Sequence, residues 1–404
     1  MIKREAYIKK IAPFINKDII KVITGIRRCG KSVLLEQIRD YLISSKICSE
    51  KQILFLNFES LNDKRVHSIT NVLEAIKQMQ GSKKQKLYFF FDEIQELREW
   101  EKLVNSLLID YDSDIYITGS NANLLSGELA TYLSGRYIEI QMYPFSFKES
   151  FDALKQLDIS TTKEIAFNEY LKTGGFPFLY NYSFSDEQKT QYLNDLFNSI
   201  ILKDISACHK IRDIALLKKL IAFFINNISR PFSAISISKY LKSEKRSVSS
   251  ETIYNYLEYT KEAFLLYLSS RFDLIDKEML TTNEKIFIAD HGFMNLFTQN
   301  ITANIDQVLE NIVYIELLRR GYEVFVGKNK DKEIDFYTLK NGKISYFQVC
   351  YLLSNTETIA REFGGFDKIT DNYPKYVLSL DNFDFSRNGI VHKNLISWLA
   401  ENEY

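Results

Sequence analysis

The stretch TGIRRCGKSVLLEQI, residues 24–38, decides how the first third of this chain is read. Gly25, Gly30, Lys31 and Ser32 stand at the spacing G-x-x-x-x-G-K-[ST]. Between a buried strand and a helix, such a loop turns backbone N–H groups and a helix N-terminus toward an anion. The cradle would run through Gly25, Ile26, Arg27, Arg28, Cys29, Gly30, Lys31, Ser32 and Val33. Lys31 would reach the outer phosphates, and the Ser32 hydroxyl would ligate Mg2+. Arg27 and Arg28 are two cations inside the loop that either help hold phosphates or face solvent, and Cys29 is incidental. A glycine turn ahead of a helix would share these letters, so the context must decide.

That context is a set of apolar runs. IIKVITG (19–25), ILFLNFE (53–59), LYFFFDE (87–93) and DIYITGS (114–120) read as strands buried on both faces, as in a parallel sheet. A helix is expected from Lys31 to about Ser44, and Leu97, Trp100, Leu103, Val104 and Leu107 fall at helical spacing. A fifth strand, RYIEIQMYPF, alternates from Arg136 and stops near Pro144. Strand–helix alternation over this length predicts a doubly wound α/β domain.

The acid pair that a nucleotide site needs stands at the end of LYFFFDE. Asp92 would hold the metal, directly or through water, and Glu93 would polarise the attacking water. Ser120 or Asn121, after the next strand, is a candidate sensor of the terminal phosphate or else the N-cap of a following helix. Arg136 in LSGRY is a candidate arginine finger, supplied by a neighbouring subunit or within the chain, or else a surface ion pair. The expected cofactors are ATP (or GTP) and Mg2+.

Composition sets limits on the rest. With 404 residues the chain exceeds one ordinary core, so two or three domains are expected. Lys+Arg 52 and Asp+Glu 52 cancel, which excludes a global pull toward nucleic acid or anionic lipid and leaves only local patches. Cys29, Cys48, Cys208 and Cys350 form no C-x-x-C pair and read as reduced thiols of a cytoplasmic protein. The N-terminal MIKREAYIKKIAPFINKDIIKV breaks each apolar run with charge, so neither a signal peptide nor a membrane anchor is expected.

From Phe147 to about Phe224 the pattern is helical, interrupted by TGGFPF (173–178), which reads as a tight turn. Next come a short helix, a turn and a longer helix capped by Ser249 or Ser250, with Ile253, Tyr256, Leu257 and Phe264 on one face. With the strand-like residues that follow, this is the outline of a winged helix. Lys239, Lys242, Lys245 and Arg246 at its turn could meet a phosphate backbone, but Tyr254, Asn255 and Glu258 on the longer helix offer no basic run. From about Ile301 a helix leads to YEVFVG, KEIDFYTL and KISYFQVCYLL, with Asn341-Gly342 as a hairpin turn.

GIRRCGKS, FFFDEIQ, ITGSNA and LSGRYIEIQMYPFSFKE resemble the prokaryotic AAA+-type ATPases that carry a C-terminal region of uncharacterised role. The resemblance continues through YLKTGGFP to KEIDFYTL and YFQVCYLL, nearly the whole chain. It implies ATP with Mg2+ and a sensor at Ser120 or Asn121. The last module resembles the PD-(D/E)xK nuclease fold, with Glu310 or Glu316 as the helix acid and Asp335 as the strand acid. Gln348-Val349-Cys350 departs from the final acid-x-Lys, because Cys350 supplies no ammonium; Lys332 or Lys343 could substitute. The reading is a degenerate nuclease fold used for binding.

The expectation is therefore four parts: an α/β P-loop core of the AAA+ type (1–146), a helical lid (147–224), a winged-helix segment (225–298) and a nuclease-like α/β module (299–404). DNA, a protein partner and further copies of the chain are the macromolecular partners these parts allow, with no membrane.

Overall fold

The computed structural model describes residues 2–80, 85–122, 135–243, 248–297, 304–330, 332–367 and 369–401. Two compact units divide the chain: Met1–Met142 with Glu262–Phe264, and Tyr143–Lys261 with Leu265–Tyr404.

The first unit is built on five parallel strands: β1 (Ile20–Thr24), β2 (Ile53–Asn57), β3 (Leu87–Asp92), β4 (Ser113–Gly119) and β5 (Tyr137–Gln141), in the order β2-β3-β4-β1-β5. Central strands β1, β3 and β4 are buried throughout, while edge strands β2 and β5 are partly covered, as the continuous apolar runs require. Helices α1 (Glu5–Ile11), α2 (Lys31–Ser44), α3 (Ile69–Gln80) and α4 (Trp100–Asp110) complete the unit, and α4 buries Trp100, Leu103, Val104 and Leu107. Lys21 is the one charge inside β1. It is neutralised by Asp114 of β4 in a fully buried ion pair, and Asp114 also accepts from the Tyr116 hydroxyl at 2.9 Å. The pair pins β1 to β4 at the end away from the phosphate loop.

The second unit opens with α5 (Phe147–Leu157), α6 (Lys163–Thr173) and α7 (Asp186–Ser199), which continues into a π-helical stretch, Ile200–Ala207. Ser146 starts α5 by accepting from Glu149 N at 3.1 Å while Glu149 Oε2 accepts from Ser146 N, a reciprocal cap. Helices α8 (Ile214–Asn226), α9 (Ala234–Ser243) and α10 (Ser250–Glu262) precede the hairpin β6 (Leu266–Asp273) and β7 (Glu278–Ile288). Ser249, rather than Ser250, caps α10, accepting from Thr252 N at 3.1 Å. Phe264 lies beyond the helix, with φ 54, instead of on its face.

The chain then forms α11 (Ile305–Arg319), β8 (Glu323–Asn329), β9 (Lys332–Lys340), β10 (Lys343–Val349), α12 (Thr356–Gly364), β11 (Lys375–Ser379), β12 (Ile390–Asn394) and α13 (Leu395–Ala400). Asn341 and Gly342, both at positive φ, make the expected turn between β9 and β10. One seven-stranded sheet, β12-β11-β10-β9-β8-β6-β7, crosses the boundary expected at 298/299, because β6 pairs in parallel with β8. The hairpin and the C-terminal module thus share a sheet, which the local patterns did not indicate.

TGGFPF is a turn, as expected, and also a clamp. Gly174, at φ 74, sits against Asp290, where a Cβ would stand 1.8 Å from Asp290 Oδ1. Asp290 accepts from Gly175 N at 2.6 Å and Gly292 N at 2.9 Å, while His291 bonds the Tyr170 carbonyl at 2.7 Å. Among the described residues, no helix is long and apolar enough to cross a membrane.

Candidate active site

At the C-terminal edge of the five-stranded sheet, β4 lies between β1 and β3, so its last residues stand between the loop after β1 and the acids after β3. Thr24 pairs with Gly119, and Phe91 pairs with Ile117, which brings the three strand ends level. Gly25 (φ +143) folds the loop tightly onto the chain leaving β5; a Cβ there would meet the Met142 carbonyl oxygen at 2.2 Å. Gly30 (φ 106) precedes Lys31, the first residue of α2, and no side chain caps that helix. Its first N–H groups are therefore available to an anion.

The Lys31 ammonium is buried and donates to Ser120 Oγ at 2.8 Å and to the Gly25 carbonyl at 3.1 Å. It stands 3.6 Å from Glu93 Oε1. Ser120 in turn donates to the Glu93 carboxylate at 2.9 Å, so Ser120 joins lysine and glutamate. Glu93 adopts a left-handed backbone, φ 49 and ψ 51, at a cost of about 1 kcal/mol for a residue with a Cβ. Such strain recurs where a side chain must be aimed. Asp92 accepts from Thr118 Oγ1 at 2.7 Å, from Asn57 Nδ2 at 2.9 Å and from the Ser32 hydroxyl.

The two acids are driven apart electrostatically. Burial pushes Asp92 above the usual aspartate range, against the pull of its bonds to Thr118 and Ser32. Burial acts on Glu93 in the same sense, but Lys31, Gln95, Ser120 and Arg27 outweigh it and hold Glu93 below the usual glutamate range. Glu93 thus stays ionised at neutral pH.

The expected residues Lys31, Ser32, Asp92, Glu93 and Ser120 come together. Asn121 follows Ser120 and is partly buried; Ile26 and Cys29 are buried beneath the loop, Val33 is half-buried on α2, and Arg28 is exposed at φ 67. Arg27 pairs with Glu59 at 3.7 Å. Arg136 is brought to neither acid. It precedes β5 beside Ile20, whose N–H it accepts at 2.8 Å, at the opposite end of strands five residues long. At about 3.3 Å per residue its backbone is about 16 Å from the loop, so this structure does not bring Arg136 to the phosphate loop.

Sequence reasoning missed Asn57, Thr118, Gln95 and Arg4. Asn57 and Thr118 were findable, because each is a polar residue at the C-terminal end of an apolar run, as Asp92 is. Arg4 carried no such signal. It is buried, and its guanidinium donates to the Cys29 carbonyl at 3.4 Å while its N–H donates to Gln37 Oε1 at 2.8 Å.

A second polar cluster lies in the other unit. Of the two expected helix acids, Glu310 faces Asp335, whereas Glu316 is bound by Arg319 and by Arg320 Nε at 2.8 Å. Asp335 Oδ2 accepts from Val349 N at 2.8 Å, and Gln348 Nε2 donates to Glu362 at 2.9 Å. Lys332 donates to the Gly364 carbonyl at 2.7 Å, and Lys343 is exposed at the far end of β10. Lys285 of β7 brings an ammonium to this cluster, 2.7 Å from Glu333 and 3.4 Å from Glu310. No spacing rule connects it to this cluster. Burial works against the Lys285 charge, but Glu310, Asp335 and Glu333 outweigh it and raise its pKa. Burial pushes Asp335 up to about 7. Among the described residues, no three His, Cys, Asp or Glu side chains converge as metal ligands. Lys245 and Arg246 lie outside the described residues.

This sheet order, loop and acid pair define a P-loop ATPase of the AAA class, and residues 17–151 match the family profile of an AAA domain. Residues 164–304 match a domain of unknown function, DUF8612. The chain is 42% identical over 403 residues to an uncharacterised protein of Haemophilus influenzae, covering 99% of both chains. It is 33% identical over 396 residues to uncharacterised protein MJ1544 of Methanocaldococcus jannaschii, covering 93% of this chain and 85% of that one. The chain belongs to the family of these two proteins. Among solved structures it is similar in fold to the Walker-type ATPase PABY2304 of Pyrococcus abyssi, with a TM-score of 0.50 and 14% identity over 74% of this chain and 96% of that one.

Proposed function

We propose that the chain binds ATP with Mg2+, hydrolyses it, and uses its nucleotide state to reposition the modules of the second unit on a partner. The observation that carries this reading is the contact of Lys31, Ser120 and Glu93 beside the Ser32–Asp92 hydrogen bond. The N–H groups of Gly30, Lys31 and Ser32 cradle phosphate, and the Lys31 ammonium binds its outer oxygens. Ser32 and Asp92 are hard oxygen donors of the kind that hold Mg2+ together with substrate phosphates, and the ion supplies charge neutralisation when bound. Glu93 orients the attacking water through its ionised carboxylate. Ser120, bonded to both Lys31 and Glu93, reports the arrival of the terminal phosphate to the acid. Phosphate release by wild type and Lys31→Ala tests the reading; equal rates would sink it.

Charge favours a protein over DNA as the partner of the winged-helix segment. Topologically, α8, α9, α10 and the β6–β7 hairpin follow the winged-helix outline, with Pro231 bridging to Lys285. The exposed face of α10, the helix that would enter a groove, carries Glu251, Tyr254, Asn255 and Glu258. The hairpin tip adds Asp276, Lys277 and Glu278. DNA presents one negative charge per about 1.7 Å, so these carboxylates oppose groove entry, although Lys239 and Lys242 on α9 are exposed and basic. The α11-β8-β9-β10-α12-β11 order supports a nuclease-like framework, and the Lys285 ion pairs support a binding role over cleavage. DNA affinity at two salt concentrations, with and without ATP, separates the partners: salt-insensitive absence of binding is expected, and tight salt-dependent binding would overturn the protein reading.

A further inference from the structure

The arginine in the phosphate loop has no role in the scheme above. Arg27 is mostly buried, its side chain 17% exposed, on the loop between β1 and α2. It pairs with Glu59 at 3.7 Å. Glu59 N is fixed by Asn57 Oδ1 at 2.9 Å, and Asn57 Nδ2 holds Asp92 Oδ2 at 2.9 Å. Arg27, Glu59, Asn57 and Asp92 therefore form a continuous chain of contacts around the side of the site that faces β2. A guanidinium carried on the phosphate loop itself, and tied through Glu59 and Asn57 to Asp92, lies on the side of the site where negative charge would develop during phosphoryl transfer. Arg136, by contrast, is at the far end of the sheet.

Resting on the nucleotide reading above, we propose that Arg27 is a catalytic residue acting within its own chain, neutralising charge on the transferred phosphoryl group, and that Glu59 is the positioning residue that keeps it beside the site. An arginine finger contributes about 10³–10⁵ in turnover by stabilising transition-state charge, and an arginine built into the loop does so without a second subunit. Arg28, exposed and turned by its positive φ, does not share the role.

The test measures ATP turnover and the affinity for a fluorescent ATP analogue in wild type, Arg27→Ala, Arg27→Lys and Glu59→Gln, each at several protein concentrations and with the Tm recorded. Arg27→Ala should lose about 10³-fold in kcat while affinity changes less than about threefold, and Arg27→Lys should recover part of the loss. Glu59→Gln should lower kcat several-fold without abolishing binding. Wild-type turnover per chain should not fall on dilution. An Arg27→Ala rate within twofold of wild type overturns the role of Arg27 and leaves the nucleotide reading standing. So does turnover that vanishes on dilution and in Arg136→Ala while Arg27→Ala remains active. A wild type that binds no ATP overturns both readings together. A variant whose Tm collapses is replaced by Arg27→Lys, whose full activity at wild-type Tm would overturn the proposal for the guanidinium.

Discussion

Two clusters in this protein use the same ingredients, a lysine among acids, and reach opposite outcomes. In the first unit Lys31 begins a helix at a loop, and serine hydroxyls link it to Glu93 and Ser32 to Asp92. In the second unit Lys285 sits inside a sheet and contacts Glu310 and Glu333 directly. The first lysine holds neutral carbonyl and hydroxyl partners, which a phosphate would replace with a charged one, at a cost of about 1.5–3 kcal/mol for each bond given up. The second is itself buried and sits between Glu310 and Glu333, the latter also approached by Arg271 at 3.6 Å, so removing it leaves Glu310 without this ammonium in a low dielectric. Similar residues thus make an exchangeable site in one case and a fixed ion-pair cluster in the other. The difference lies in what surrounds the ammonium.

The sharpest way to break this comparison is to remove the acid on which the first cluster depends. Glu93→Gln is expected to lower turnover by about 10²–10⁴-fold, with affinity for an ATP analogue retained, as read by phosphate release and fluorescence titration. Retained turnover would remove Glu93 as the water-orienting group. Next in size is Lys285→Met, expected to destabilise the second unit by about 3–5 kcal/mol in urea denaturation. Adding Glu310→Gln to that variant should recover part of the loss, since the stranded charge is then reduced. A Lys285→Met protein as stable as wild type would show that the second cluster is not held by its ion pairs.

Gly174→Ala should cost about 2–3 kcal/mol, because the added Cβ meets Asp290 and the backbone is at φ 74. Its urea midpoint should fall, while Gly25→Ala, with a comparable clash against Met142, should be read chiefly in nucleotide affinity. The smallest effect is a pH slope. Asp335 has a folded pKa of about 7 against 3.8 for an unperturbed aspartate, so between those values the folded chain holds a proton that the unfolded chain releases. Its contribution to stability is complete below about pH 4 and declines as pH rises to about 7. Asp335→Asn should flatten that decline when stability is compared at pH 5 and pH 7.5, and an unchanged slope would remove Asp335 as its source.

Much of the first unit was legible because its signals are local. Helix α2 follows from Lys31 onward as read, and the four apolar runs became β1 to β4, since burial on both faces imposes continuous hydrophobicity. Lys31, Ser32, Asp92 and Glu93 were readable because each adjoins a strand end within one short motif. Ser120 was readable only as one of two choices; the neighbouring strands bring it into contact with Lys31 and Glu93. The back half was legible as elements but not as a sheet. β6 and β7 looked like the wing of a separate segment, yet β6 pairs with β8 about fifty residues later.

The sequence alone therefore determined the class of the first unit, the phosphate loop and its acid pair, because periodicity and loop spacing act over a few residues. Tertiary structure alone decided that β4 inserts between β1 and β3, carrying Ser120 to Lys31 and Glu93. It also removed Arg136 to the far end of the sheet, set Arg27 beside Glu59, brought Lys285 to Glu310 and closed Gly174 on Asp290. These choices depend on which strands pair and in what register. That is settled by hydrogen bonding and packing between segments far apart in the chain, and no local pattern encodes it.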